Sequence, residues 1–577
     1  MLERGQAAPR APARWGPALL MALAFGVLVS IHLGRPGFFD NEGRYAEVAR
    51  EMLLSRDLVT PRLNFALFLN KPPLLYWLVT AFFALGTVDE WARVVIVLAS
   101  VITVLVTCRL GARLFGAGTG LLAAAFLATT LGFVLEARTL RPDGLLITSV
   151  AAALASWRAA EDASEERRVR WLALGYVALA VGILTKGLVP VALVAVPVLV
   201  FTLRDHGWGG IGRLRPWLGF AIVLLLAAPW HVLVAMRHAG FAWDYLVNQH
   251  LLFFLDRKLP RDSVGDPLTL FWGMFLGRSL PWIVLLPFTL GEAIRGFRRG
   301  ADARASATAF CWTWIAAVMI PFSIAPSRLE HYSLPALPAV ALLAARGWQR
   351  LAAGELGRAG WRWLGVAAVV LVLTGAVGGM WGRSVLARVY WIHQARGLIT
   401  LVLPSAFILG IGGLILAWSA YARRPRVVNV AIAGMTLPML VIVLLAEVEV
   451  EPFFSWKPLA IAVRAQLPDS VDIVLEAPVE YQLVGGLAFY TRRRITLLEP
   501  VDFTPPTYLE RIRDGLFLSR PEFEHRWKEL VPLAFVSDPQ RRRPTPEGLV
   551  PGPFQVVDRV GDRWLLINHP VGERSPS

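Results

Sequence analysis

The sequence predicts a mostly α-helical, polytopic membrane protein that ends in a small soluble α/β domain. Three observations predict it. The 577 residues are 56% hydrophobic and only 17% charged, with a mean hydropathy of +0.54, which exceeds what a soluble domain can bury. Apolar runs of spanning length, about 17 to 25 residues, recur through the first 446 residues. Beyond them the texture changes to short β-like runs punctuated by Pro, Gly and Asp.

The runs lie near 15–33, 91–110, 117–136, 142–157, 171–185, 187–203, 216–236, 268–289, 307–325, 333–346, 362–381, 399–420 and 427–446, which gives about 13 transmembrane helices. The first is too long for the apolar part of a secretory signal, and no clear small-residue cleavage site follows it, so it reads as a retained span. Arginines gather in the short loops at Arg109 and Arg113, Arg158 to Arg170, Arg204 to Arg215, Arg295 to Arg304, Arg346 to Arg362 and Arg423 to Arg426. Such loops stay on the cytoplasmic side. Counting the further run "PPLLYWLVTAFFALG", 72–86, as a crossing would invert every later Arg-rich loop. It is therefore expected to lie in or dip into the outer interface. With the N-terminus inside, the expected organisation is a transmembrane domain over 1–446, with an outer loop 34–90 carrying interfacial helices, and an outer α/β domain over 447–577. In that tail "DIVLEA", "RITLLE", "PLAFVS" and "RWLLIN" read as strands and "VEYQLVGGLAFYTRR" as a helix.

The same distribution excludes other classes. The net charge of +16 sits mostly in inter-span loops, so it reports topology and not a nucleic-acid partner. Cys108 and Cys311 each lie in an apolar run, which argues against a disulfide framework or a thiolate metal site. "FGAGTG", Phe115 to Gly120, follows no strand and reads as helix packing, not a nucleotide loop.

Charge parity also sorts the remaining polar residues. Asp40, Glu42, Arg44, Lys71, Arg138, Arg141, Asp143, Lys186, His250, Arg257, Lys258, Arg328, Glu330, His331 and Tyr332 all fall on the outer side. In "FFDNEGRYAE", Phe38 to Glu47, Asp40 or Asn41 suits a helix N-cap. Tyr45, Val48, Ala49, Met52 and Leu53 then follow helical spacing and form one apolar face. Lys186 interrupts the apolar stretch from Trp171 to Leu203, where an ionisable residue near hydrocarbon marks a functional position. Several cations beside a lipid-facing entrance suit a phosphate ester. A carboxylate among them suits a general base toward an acceptor hydroxyl, or stabilises positive charge at an anomeric carbon. His250 and Tyr332 also suit interfacial anchors, and Arg492 to Arg494 and Arg541 to Arg543 suit either lipid phosphates or a solvated basic face.

The run "DNEGRYAEVAREMLLSRDLVTPRLNFALFLNKPPLLYW", Asp40 to Trp77, resembles the first outer loop of bacterial polyprenyl-phosphate-sugar-dependent glycosyltransferases. These are the ArnT-like aminoarabinose transferases and the related protein O-mannosyltransferases, which share the multi-span GT-C fold. The resemblance continues through "RTLRPDGLLI", 138–147, "GILTKGLVPV", 182–191, and "SRLEHYSLPALPAVALL", 327–343. It implies an inverting displacement on an undecaprenyl-phosphate-linked sugar. It also implies catalytic carboxylates among Asp40, Glu42 and Asp143, and donor-phosphate contacts from Lys71, Lys186, Arg328, His331 and Tyr332. Asn41, Arg44, Arg138, Arg141 and His250 are further outer-site candidates. An ungapped match puts Asn41 at the family's catalytic aspartate, which leaves Asp40 or Glu42 as the base, and Asn70 stands where those enzymes usually have an acid before the lysine of "KPP". No cofactor or metal is expected to be required, a divalent ion remaining the open alternative.

The expected activity is sugar transfer at the outer face of a bacterial inner membrane, onto lipid A or a related envelope glycolipid. The sugar expected is 4-amino-4-deoxy-L-arabinose or a hexose. The expected partners are the lipid-linked donor, that acceptor and membrane lipids. Transfer to protein Ser or Thr is the alternative. A non-catalytic flippase of lipid-linked sugars is less favoured, because its polar groups would sit near the bilayer midplane and not at the outer ends of the spans.

Overall fold

The computed structural model describes residues 15–258, 265–388, 395–476, 481–498, 516–537 and 545–569. The N-terminal part is a helical bundle. It begins with α1 (Trp15–Ser30), α2 (Asp40–Ser55), a two-stranded hairpin of β1 (Arg62–Leu63) and β2 (Ala66–Leu67), and α3 (Leu74–Phe83). It continues through α4 (Val94–Phe115), α5 (Ala117–Ala128), α6 (Leu131–Ala137), α7 (Pro142–Glu161), α8 (Glu165–Lys186), α9 (Val189–His206) and α10 (Pro216–Arg237).

Among the described residues eight helices are long and apolar enough to cross a membrane. There are ten if two bent pairs each count as one span: α5 with α6, at 66°, and Leu268–Arg278 with Trp282–Gly296, at 97°. The remaining three of the thirteen expected spans fall on α1, α7 and the helix Leu337–Ala352. The first and last have 16 residues each, short of the ~20 that a straight span needs. α7 is long enough but rich in Ala and Ser, carries Asp143 and Glu161, and is largely buried in the bundle. An apolar run reports that a segment avoids water and does not distinguish lipid from protein around it. The interfacial reading of 72–86 meets a ten-residue apolar helix, α3, packed against α2.

Four of the C-terminal strands, at 472–476, 496–498, 533–536 and 563–567, appear where the short β-like runs placed them. β3 (Asp472–Glu476), β4 (Thr496–Leu498), β5 (Phe517–Leu518), β6 (Leu533–Val536), β7 (Gln555–Val560) and β8 (Arg563–Ile567) form one sheet in the order β5-β4-β3-β6-β8-β7. The first four strands in that order run parallel, and β8 and β7 are antiparallel. β6 and β8 are buried along their whole length, as expected of strands covered on both faces. The long helix Pro425–Phe454 runs past residue 446 up to this sheet. There Arg563 of β8, 1% exposed, donates to the carbonyls of Pro452, Phe453 and Ser455.

The tail also reaches back to the first loop. The helix Val484–Thr491 crosses α2 through glycines: a Cβ on Gly43 would lie 2.4 Å from the Gly486 Cα, and one on Gly485 would lie 2.5 Å from the Arg44 Cα. Only hydrogen side chains allow two helix backbones to approach this closely. Arg492 and Arg493 are drawn into the same packing, donating to the carbonyls of Val88, Leu467 and Pro468. Arg541 to Arg543 lie outside the described residues.

Candidate active site

α2 starts earlier than either expected cap, Asp40 or Asn41. The N-cap is Phe39, in extended conformation, and Asp40 is the first helical residue. The cap is made from inside the helix, because the Glu42 carboxylate accepts the Phe39 N–H at 2.8 Å. Glu42 has no capacity left for chemistry in this geometry. Arg93 grips it through Nε at 2.9 Å and a terminal nitrogen at 2.6 Å, the Leu140 N–H donates at 2.6 Å, and the residue is 2% exposed. Arg93 meanwhile donates to the carbonyls of Leu33, Pro36 and Gly37. The pair pins the chain entering α2 to the start of α4, and faces away from the cavity described next.

That cavity, about 200 Å³, is roofed by the N-terminus of α2 and lined by Asn41, Arg44, Lys71, Asp143, Lys186, His250, His331 and Tyr332. Segments distant in sequence converge here because the outer ends of α2, α7 and α8 and the turn before helix Leu337–Ala352 meet at one point. Asp143, 2% exposed in the first turn of α7, accepts from Lys186 Nζ at 2.6 Å. Lys186 also lies 4.7 Å from the centre of the Tyr332 ring, a cation–π distance. Among the described residues Lys71 has no ion-pair or hydrogen-bond partner. Burial, followed by the nearby Lys186, Lys258 and Arg44 charges, lowers its pKa to about 7. Burial likewise lowers that of His331, against the pull of Asp143.

The other sequence candidates are spent on structure. Arg138 bonds the carbonyls of Val29 and Ile31 and pairs with Glu447, which ties the end of α1 to the helix Pro425–Phe454. Arg141 pairs with Glu136. Arg328 donates to the carbonyls of Phe322, Ser323 and Asp266 and so holds its own loop closed. For Asp40 the structure describes the backbone position and not the side chain.

His250 is not placed to hold a metal. The Leu188 N–H donates to His250 Nε2 at 3.1 Å, so Nδ1 carries the proton and donates to the Tyr245 carbonyl at 2.5 Å. Both ring nitrogens are thus engaged by backbone, which leaves no lone pair for a cation. Among the described residues no three His, Cys, Asp or Glu side chains cluster as ligands.

Sequence reasoning missed one wall. Gln482, from the C-terminal domain, lines the cavity, and its Oε1 accepts from Arg44 and, at 3.4 Å, from Asn70 Nδ2. No local signal marks it. Its place follows from the Gly43–Gly486 crossing, which spans more than 400 residues of chain.

Residues 70–232 match the profile of the dolichyl-phosphate-mannose-protein mannosyltransferase family. An undecaprenyl phosphate-α-4-amino-4-deoxy-L-arabinose arabinosyl transferase of Erwinia tasmaniensis is 27% identical over 62% of this chain and 65% of its own length. One from Edwardsiella ictaluri is 29% identical over 68% and 69%. The matches to the Erwinia protein and to a Pseudomonas fluorescens relative span under two thirds of those proteins, 65% and 61%. The crystal structure of ArnT from Cupriavidus metallidurans bound to undecaprenyl phosphate superposes with a TM-score of 0.77 at 24% identity, covering 98% of this chain and all of that one. The chain has an ArnT-like GT-C fold. Its apo counterpart gives 0.75, so the ArnT-like architecture extends over the C-terminal sheet as well as the bundle.

Proposed function

We propose that this chain is an inverting glycosyltransferase that moves a sugar from an undecaprenyl-phosphate donor to a glycolipid acceptor such as lipid A. The observation that carries the reading is the cavity itself: Lys71, Lys186, Asp143 and Tyr332 brought together at the outer helix ends. The relatives named as undecaprenyl-phosphate aminoarabinose transferases, and the likeness to ArnT with undecaprenyl phosphate bound, support it. The transferred sugar is 4-amino-4-deoxy-L-arabinose or a hexose. The chain would cross a bacterial inner membrane thirteen times, with residues 447–577 forming a periplasmic domain and the cavity opening on the same side.

In this reading Lys71 meets the donor phosphate, with His331 and Tyr332 beside it. An acceptor oxygen attacks the anomeric carbon from the face opposite the phosphate, the C1–O bond breaks, and the phosphate leaves with the bonding pair. Lys71 stabilises that growing anionic charge in a site shielded from water, where it counts most. Asp143, fixed by Lys186, is the carboxylate the cavity presents to the acceptor proton or to the positively charged ring. Glu42 keeps the loop in place, and no metal takes part.

Mass spectrometry of lipid A and of envelope glycoproteins, from cells with and without the gene, tests the acceptor. Loss of a sugar mass from lipid A is the expected result. An unchanged lipid A beside a lost glycoprotein mass would replace this reading with transfer to Ser or Thr, which the mannosyltransferase profile over 70–232 favours.

A further inference from the structure

The polar lining of the cavity is chemically lopsided. Among the described side chains Asp143 is the only carboxylate that lines it, and Lys186 holds that carboxylate at 2.6 Å. Asn41 and Asn70 occupy the wall beside Lys71, and the side-chain oxygen of each is buried with no hydrogen-bond partner. The Asn70 Nδ2 is directed instead to Gln482. A buried acceptor left without a donor is costly, so in a native site it marks where a ligand's donor belongs.

We propose that the sugar read by this cavity is an uncharged polyhydroxy ring whose hydroxyls donate to Asn41 Oδ1 and Asn70 Oδ1, and not a cationic amino sugar. The inference rests on the donor reading above and narrows it. An ammonium group needs a carboxylate near it, and the one on offer is already neutralised by Lys186. Lys71 stands beside the two amides as a like charge. The carboxylate of a sugar acid could be met by Lys71 or Arg44, but it cannot donate to the two amide oxygens. Hydroxyls alone satisfy these oxygens without adding charge, and an amide that reads a hydroxyl discriminates by hydrogen bonding where a charged wall would discriminate by sign.

The test uses the purified full chain in detergent at pH 7 and four probes. They are undecaprenyl phosphate alone and its esters with L-arabinose, with 4-amino-4-deoxy-L-arabinose and with galacturonic acid. Like-charge placement and unmet hydrogen bonds should make the arabinose ester bind at least about tenfold more tightly than either charged ester. Equal or tighter binding of the ammonium ester, or of the galacturonic ester, would overturn the inference while leaving the donor reading intact. No binding of undecaprenyl phosphate itself would remove the donor reading, and this inference with it. Asn41→Asp and Asn70→Asp should each shift the ratio toward the ammonium ester in protein that remains folded by its tryptophan fluorescence. A ratio unchanged in both variants would show that these side chains do not read the sugar.

Discussion

At the far end of helix Leu337–Ala352, Arg346 meets the Glu292 carboxylate through two nitrogens at 3.0 and 2.8 Å and Gln349 at 3.0 Å, while Arg350 bonds Glu355. Just before its other end, roughly 24 Å away by helical rise, His331 and Tyr332 face Lys71, Lys186 and Asp143. Arg346 and Glu292 in the first and Asp143 in the second are buried, Glu355 is exposed, and both clusters hold Arg or Lys beside acids. In the first, two arginines meet two glutamates in close geometry, as a structural charge cluster must if burial is not to exceed what pairing returns. In the second, Lys71 lacks a counter-charge and two amide oxygens lack donors. The difference teaches that burial of charge identifies neither role. What marks the site is the set of groups that the protein leaves unfinished.

The comparison breaks most readily at Asp143. Asp143→Asn should lower kcat on the order of 1000-fold with little change in donor affinity, measured as transfer to purified lipid A. Retained activity would move the carboxylate role to Asp40. Next, Lys71→Ala should weaken binding of undecaprenyl phosphate on the order of 100-fold. The wild type should carry a matching pH signature. Its Lys71 pKa is lowered to about 7, chiefly by burial, so the charged form is lost as pH rises through 7. Affinity for the phosphate should therefore fall from pH 7 to 9, and binding at pH 8 should take up a proton by calorimetry in two buffers of different ionisation enthalpy. The empty protein has the opposite sign: the unfolded lysine binds the proton more tightly, so stability should rise between pH 7 and the unfolded value.

Smaller effects sharpen the contrast. Gln482→Ala should weaken donor binding by about tenfold, through loss of its hydrogen bond to Arg44. Arg346→Ala should leave donor affinity of the folded protein unchanged. It should nevertheless destabilise the protein by about 3 kcal/mol, because the buried Glu292 loses both close bonds and keeps only Arg350, at 4.0 Å; a fall in Tm without a change in Kd is the result that checks it.

Much of this was legible in the residues. The strands at 472–476, 496–498, 533–536 and 563–567 follow from short apolar β-like runs between turn residues, and charge parity alone put Lys71, Asp143 and Lys186 on one side of the expected membrane. What escaped is non-local. The resemblance implies Glu42 as a candidate carboxylate, and its bonds to Arg93 and to the Leu140 N–H, some 50 and 100 residues away, are beyond what local sequence specifies. Arg138, Arg141 and Arg328 look equally available in sequence, yet each meets partners that periodicity cannot specify. The bent pairs and the buried α7 exceeded hydropathy for the same reason: it measures affinity for an apolar surrounding, whichever material supplies it.

The crossing of Gly43 with Gly485 and Gly486 has a consequence in time. At a synthesis rate of about 5 to 20 residues per second, α2 waits on the order of a minute before the helix that closes over it leaves the ribosome. During that interval the first loop is without Gln482 and without the helix that packs over it. On the proposed function the growing chain meets a lipid-linked donor before it can hold one, and competence arrives in one late step, when the last domain folds onto the first loop.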